Sequence, residues 1–333
     1  MKKKNIVLAA ALCFGVFSAF QQFGAFAKYQ PKHFPKPVYN FDKNPLKAAN
    51  IELGRALFYD PILSKDGTIS CASCHSPYNA FAQSDHALSH GINDAIGTRN
   101  APALQNLAWQ PVFMHDGAVT HLDMQSLFPI TQPKEMDETM ANVVAKLNKN
   151  TAYKKAFYKA YKDSAATGER ALKSLSQFML TLVSANAKYD SVQQKRAKFT
   201  AQEANGYALF KKNCNRCHTE PLFSSFAFAN NGLPLDSFLQ DFGRTNVTKN
   251  KKDSLFFKIP SLRNIQYTAP YMHDGRFKRL QNVLKHYTTD FDKNTQTAMV
   301  LTSNEKVDII AFLLTLSDKS FLTNKKHSFL KNL

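Results

Sequence analysis

The sequence predicts a mainly α-helical chain built from two related halves, on three observations. Apolar residues recur at helical spacing behind recognisable helix starts. Strand-like alternation is nowhere sustained. Two long blocks of the chain repeat each other at identical internal spacing.

The helix starts come first. Thr200-Ala201-Gln202-Glu203 is a capping box, in which hydroxyl and carboxylate each accept from an orphan backbone N–H, and it opens a helix reaching Phe210. Thr302-Ser303-Asn304-Glu305 is another, followed by Val307, Ile309, Ile310, Leu313, Leu314 and Leu316. Residues 171–189 carry Leu172, Leu175, Phe178, Met179, Leu182 and Val183 on one face without Pro or Gly, which predicts one continuous helix.

The repeat is long. Gly54-Arg55-Ala56-Leu57-Phe58 corresponds to Gly206-Tyr207-Ala208-Leu209-Phe210. Pro102-Ala103-Leu104-Gln105-Asn106, Met114-His115-Asp116-Gly117 and Leu122 correspond to Pro260-Ser261-Leu262-Arg263-Asn264, Met272-His273-Asp274-Gly275 and Leu280. The period far exceeds that of a solenoid, so the expectation is a duplicated domain. The polar stretch at residues 191–198 marks the division, giving domains at 28–195 and 196–333.

Residues 1–27 read as a secretory signal: Lys2, Lys3 and Lys4, then an apolar run from Ile6, then the small-x-small site Ala25-Phe26-Ala27. The run is short for a membrane span, and Cys13 falls within the discarded segment. Export to the periplasm follows. The remainder suffices for two domains of about 100–200 residues each.

The four other cysteines form two copies of one pattern, Cys71-Ala72-Ser73-Cys74-His75 and Cys214-Asn215-Arg216-Cys217-His218. Four cysteines in an exported chain would ordinarily suggest two disulfides. Two CxxCH copies that use all four read instead as covalent haem c attachment: thiols add across the vinyl groups and the adjacent histidine faces iron. The halves are therefore cytochrome c-like haem domains, with Cys71, Cys74, Cys214 and Cys217 as attachment points and His75 and His218 as iron ligands. The formal net charge of +18 and pI near 9.6 raise nucleic acid as a partner, but no nucleic-acid module is present. A solvated lysine-rich surface, with a patch for an acidic redox partner, fits better.

A haem with two protein ligands only passes electrons, whereas peroxide chemistry needs one accessible iron and a proton-moving group. The halves do differ. The first has a loop at residues 89–99 and a later stretch with Gln125, Pro129 and Glu135-Met136, and that later stretch has no counterpart in the second half. Taken alone, Glu135 reads as a surface carboxylate.

The leader, the two CxxCH motifs, Phe58-Tyr59-Asp60-Pro61-Ile62-Leu63-Ser64, Arg99-Asn100-Ala101-Pro102, Asp116-Gly117 and Thr268-Ala269-Pro270-Tyr271-Met272-His273-Asp274-Gly275 together resemble the bacterial dihaem cytochrome c peroxidases and their MauG-like relatives. The resemblance runs from about Asn44 to Ser317. It implies a peroxidatic haem at His75 and an electron-transfer haem at His218. Gln125, Pro129 and Glu135 fall on the family's peroxide pocket, with Glu135 moving the proton. A calcium ion is implied as well, held by Asn100 and the carbonyls of Thr268 and Pro270. The resemblance also allows a homodimer.

Three positions depart from the family pattern. Where classical members place a blocking histidine, this chain has Ile92, with His90 one alignment slip away. Where they place a methionine on the second iron, it has Tyr287, with Met299 and His286 as competitors. His115 replaces the tryptophan between the haems, and its repeat mate His273 reads as structural or as a contact to a haem carboxylate. His33, His86, His121 and His327 read as surface residues. The leading function is reduction of hydrogen peroxide with electrons from a small periplasmic cytochrome c or cupredoxin. MauG-like oxidation of a partner protein's side chains is the alternative. A dihaem electron carrier without peroxide chemistry is the third reading.

Overall fold

The computed structural model describes residues 29–290 and 299–329. The expected leader, residues 1–27, lies outside them. The chain is helix-rich, and the regular strands among the described residues are one short antiparallel pair, β1 (Phe228–Asn230) and β2 (Phe256–Lys258). No described helix is long and apolar enough to cross a membrane.

Two helix crossings organise the chain. Helix α1 (Ala48–Tyr59) packs on α2 (Gly168–Leu180), and α3 (Ala201–Asn213) packs on α5 (Ser303–Leu314), with α4 (Leu280–Lys285) against α5. Both predicted capping boxes form: Thr200 and Glu203 cap α3, and Thr302 and Glu305 cap α5. At each crossing a glycine brings backbone onto backbone, Gly54 onto Ser174 and Gly206 onto Asp308. One apolar cluster gathers Leu57, Phe58, Phe81, Leu175 and Phe178, the other Phe210, Phe223, Ile309 and Phe312.

The turns behind these helices match as well. Asn106 and Asn264 (φ 56° and 58°), Met114 and Met272 (φ 66° and 75°), and Gly117 and Gly275 (φ 74° and 69°) all adopt left-handed backbone. Isolated bridges Phe113–Val119 and Tyr271–Phe277 close the same loop in each half.

The continuous helix expected over residues 171–189 is not formed. Helix α2 starts earlier, at Gly168 behind the Thr167 cap, and ends at Leu180. Tertiary hydrogen bonds then outcompete helical ones. Asp318 Oδ2 accepts from the backbone N–H groups of Ala185 and Asn186, and Asn106 Oδ1 accepts from Ser184 N. A new short helix, Lys188–Gln193, carries Asp190 into the interior.

Asp190 anchors the seam between the halves. It forms a bidentate, fully buried pair with Arg263 (2.8 and 2.9 Å) and accepts from Ala187 N. His33 Nε2 lies 2.9 Å from the same carboxylate, so its reading as a free surface residue is corrected. His327 is also buried. The segment after Asp318 returns to the first half, where Phe321 and Leu322 join the first cluster and Arg55 donates to the Lys326 carbonyl.

Candidate active site

Both CxxCH motifs contribute to the wall of one shared cavity. Cys71–Cys74 is a single helical turn capped by Ser70 and Ser73, and the second motif follows directly from the end of α3. None of the four motif cysteines forms a disulfide. Burial pushes the thiols of Cys71 and Cys214 up to about 12 and that of Cys74 up to about 11.

The two histidines are oriented alike. His75 Nδ1–H donates to the Phe81 carbonyl at 2.7 Å, and His218 Nδ1–H lies 3.2 and 3.1 Å from the Phe223 and Pro260 carbonyls. Carbonyls only accept, which leaves Nε2 of each ring with a lone pair for a metal. Phe81 and Phe223 present those carbonyls from left-handed backbone, at φ 59° and 55°. Burial also lowers both imidazole pKa values and keeps the rings neutral.

The cavity measures about 760 Å³ and is lined by Cys74, His75, Cys214, Cys217 and His218 together. Paired thiols, an adjacent neutral imidazole of fixed tautomer and an apolar enclosure fit a covalently held haem at each end. The described residues contain no cluster of three or more His, Cys, Asp or Glu that would suit a bare metal ion.

Gln125, Pro129, Glu135 and His115 all line this cavity. Glu135 is half-buried, and desolvation raises its carboxyl pKa with no cation opposing the shift. Its charge is felt by both Cys71 and Cys74, which places it on the first motif's side. Gln125 Nε2 donates to Met114 Sδ at 3.8 Å. His115 Nε2–H donates to the Asn100 carbonyl at 2.9 Å, and burial, reinforced by the Arg99 charge, pushes its pKa down to about 4.

The loop at residues 89–97 folds over Glu135. Ile92 N donates to the Glu135 carbonyl at 2.9 Å, and a Cβ on Gly91 would stand 2.2 Å from the Lys134 carbonyl oxygen. Gly91 is therefore required for this approach, a role the sequence did not reveal. Neither Ile92 nor His90 is among the lining residues; the His90 ring packs on His86 at 4.3 Å instead.

At the other end, Tyr287 and Met299 line the cavity. Burial, opposed by a hydrogen bond from Asn231, pushes the Tyr287 hydroxyl up to about 12. His286 is not among the lining residues, and its Nε2–H donates to the Asn231 carbonyl at 2.8 Å. Asn100, Thr268 and Pro270 share the cavity wall. Asn100 Nδ2 donates to the Ala87 and His86 carbonyls, so its amide oxygen is the end left for a cation. His273 stacks on Phe257 with centroids 3.9 Å apart. Sequence reasoning also missed the clamp around Arg99, which binds Asp241 through two nitrogens and Asp116 through the third.

Residues 48–198 match the family model described as di-haem cytochrome c peroxidase. The methylamine utilization protein MauG of Methylophilus methylotrophus is 32% identical over 300 residues, covering 86% of this chain and 87% of that one. The cytochrome c551 peroxidase of Nitrosomonas europaea is 30% identical over 323 residues, covering 94% and 92%. A crystal structure of a MauG-like protein associated with microbial copper homeostasis superposes with a TM-score of 0.80 at 29% identity, covering 90% of this chain and 97% of that one. With matched sequence over most of its length, a matching fold and a paired CxxCH cavity, the chain belongs to the di-haem cytochrome c peroxidase family, whose members carry two haem c groups.

Proposed function

We propose that the protein is an exported peroxidase that reduces hydrogen peroxide to water with electrons delivered singly by a small periplasmic cytochrome c or cupredoxin. The observation that carries this reading is Glu135, a half-buried carboxyl without a paired cation on the wall it shares with Cys74 and His75. A carboxyl so placed, with a raised pKa, is suited to general acid–base work.

When bound, the haem groups supply the redox chemistry that cleaves the O–O bond. Glu135 takes the proton from one peroxide oxygen and returns it to the other, which then departs as water. Two electrons and two solvent protons complete the second water. Gln125, tethered through Met114, and Pro129 shape the space beside Glu135. His115, neutral at physiological pH, carries the contact between the halves in place of an indole.

Matched left-handed turns and paired glycine crossings support a gene duplication, with a peroxidatic domain at 28–195 and an electron-entry domain at 196–333. Residues 1–27 act as a cleaved signal peptide in this reading. Tyr287 would hold the second iron, with Met299 as the competitor that shares the cavity wall. A calcium ion would be held by Asn100 Oδ1 and the Thr268 and Pro270 carbonyls, neutral oxygens of the kind a hard cation takes.

A second reading, MauG-like oxidation of a partner protein's side chains, is favoured by Tyr287 and by the relatives named MauG. Peroxide turnover with a reduced small cytochrome separates the readings. Sustained turnover is expected. A tight complex with one partner protein and no turnover with small donors would favour the second reading, and no peroxide consumption at all would leave an electron carrier.

A further inference from the structure

Lys258 is a cation in an unusual setting. It lies at the end of β2, and its ammonium donates to Gln110 Oε1 at 2.7 Å and to the Val112 carbonyl at 2.9 Å. An ammonium has three N–H donors, so these two bonds leave one over. Both acceptors are neutral. Among the described residues no carboxylate forms an ion pair with it, and the one charge that supports it, from Asp116, acts at longer range. Asp116 is already committed, with Oδ2 accepting from Arg99 and Oδ1 from Ala118 N.

Its position is as telling as its pairing. Lys258 lines the cavity that both CxxCH motifs share. The other lining cations are accounted for: Arg99 is clamped by Asp116 and Asp241, and Lys134 is exposed at the rim. Glu135 is not its counter-charge, because only burial shifts that carboxyl. Burial pushes the Lys258 ammonium down to about 8, the cost of holding a cation without an anion in a largely apolar wall. Its head group is gripped from the first half by Gln110 and Val112, and the Phe113 ring lies 5.9 Å away. A native fold keeps a half-buried, unpaired cation on a cavity wall when an anion completes it.

We propose that Lys258 is the anchor for a carboxylate side chain of the haem held by Cys71 and Cys74, with its third N–H and its charge directed at that group. The backbone supports this placement. Lys258 N donates to the His115 carbonyl at 2.7 Å, which ties the anchor to the residue between the two halves. Lys258 is thus a positioning and potential-setting residue for the first haem. This assignment rests on haem occupancy of the first motif and not on the peroxidase reading.

The test is a spectroelectrochemical titration of the full-length, two-haem protein carrying Lys258→Met, Lys258→Gln or Lys258→Arg. A nearby cation favours the reduced iron, so Lys258→Met and Lys258→Gln should lower the midpoint potential of one haem, the first, and leave the other in place. Lys258→Arg should hold the wild-type value. A purely structural lysine would change thermal stability without this charge-ordered pattern. Unchanged potentials in the Met and Gln variants, or equal shifts in all three, would overturn the proposal. Should the Met variant fail to load haem, the Gln and Arg pair alone decides it, because both retain an N–H donor and differ in charge.

Discussion

A Cβ atom on Gly206 would stand 1.9 Å from the carbonyl oxygen of Asp308, so α3 and α5 cross with backbone against backbone. Gly54 and Ser174 repeat the relationship at 1.8 Å. Gly206→Ala must push the helices apart. Overpacking of this kind costs about 1–3 kcal/mol, against a gain of up to about 1 kcal/mol in helix propensity. The expected result is a lower urea midpoint; an unchanged or higher midpoint would show that the crossing yields without cost.

Asp190 and Arg263 are each fully buried. Asp190→Asn would leave the guanidinium without its charge partner, a loss of about 3–5 kcal/mol. Despite its burial, the Arg263 pairing and the Ala187 and His33 hydrogen bonds hold the Asp190 carboxyl pKa below its ordinary value. Its stabilisation is therefore complete above the unfolded-state pKa and disappears as pH falls through the depressed folded value. Denaturant midpoints of wild type and Asp190→Asn should be well separated at pH 7 and converge in strong acid. Equal midpoints at pH 7 would refute the role.

Glu135 carries the opposite sign. Burial raises its pKa, so the folded chain binds that proton more tightly than the unfolded chain. Below the unfolded value, about 4.3, no penalty exists; as pH rises through the folded value, ionising the buried group costs stability. Thermal melts should find Glu135→Gln more stable than wild type at pH 8 and equal to it at pH 4. A variant less stable at pH 8 would mean the carboxylate has an unrecognised partner.

His90 packs on His86 and is not among the lining residues of the cavity. The oxidised protein should therefore give one high-spin and one low-spin haem in its low-temperature electron paramagnetic resonance spectrum, and His90→Ala should leave it unchanged. Two low-spin signals, one lost in His90→Ala, would make His90 a ligand.

Tyr287→Met tests the second iron. A phenolate ligand lowers a haem potential and a thioether raises it. The substitution should raise the midpoint of the second haem alone. No shift would assign the iron to Met299 instead.

The helix starts were legible because capping boxes and apolar periodicity are local signals, and Thr200 and Thr302 behave as their neighbours dictate. The haem ends were legible because CxxCH needs nothing beyond five consecutive residues. The break after Leu180 was not, since it depends on Asp318 and Asn106, far away in the chain. The burial of His327 and the engagement of His33 were hidden for the same reason. Gly91 has no local signal, and only the approach of Glu135 gives it meaning. Lys258, within Phe256-Phe257-Lys258-Ile259, gave no sign in the sequence that its head group would face a shared cavity.

The central claim is that Glu135 moves the proton of peroxide beside the first haem. It is tested most directly by steady-state turnover of hydrogen peroxide by Glu135→Gln at pH 7, with a reduced small c-type cytochrome as donor. General acid–base groups contribute about 10²–10⁴-fold, so turnover should fall at least ~100-fold while both haem absorption bands persist. Turnover within a factor of about two of wild type, with both haems in place, would contradict it.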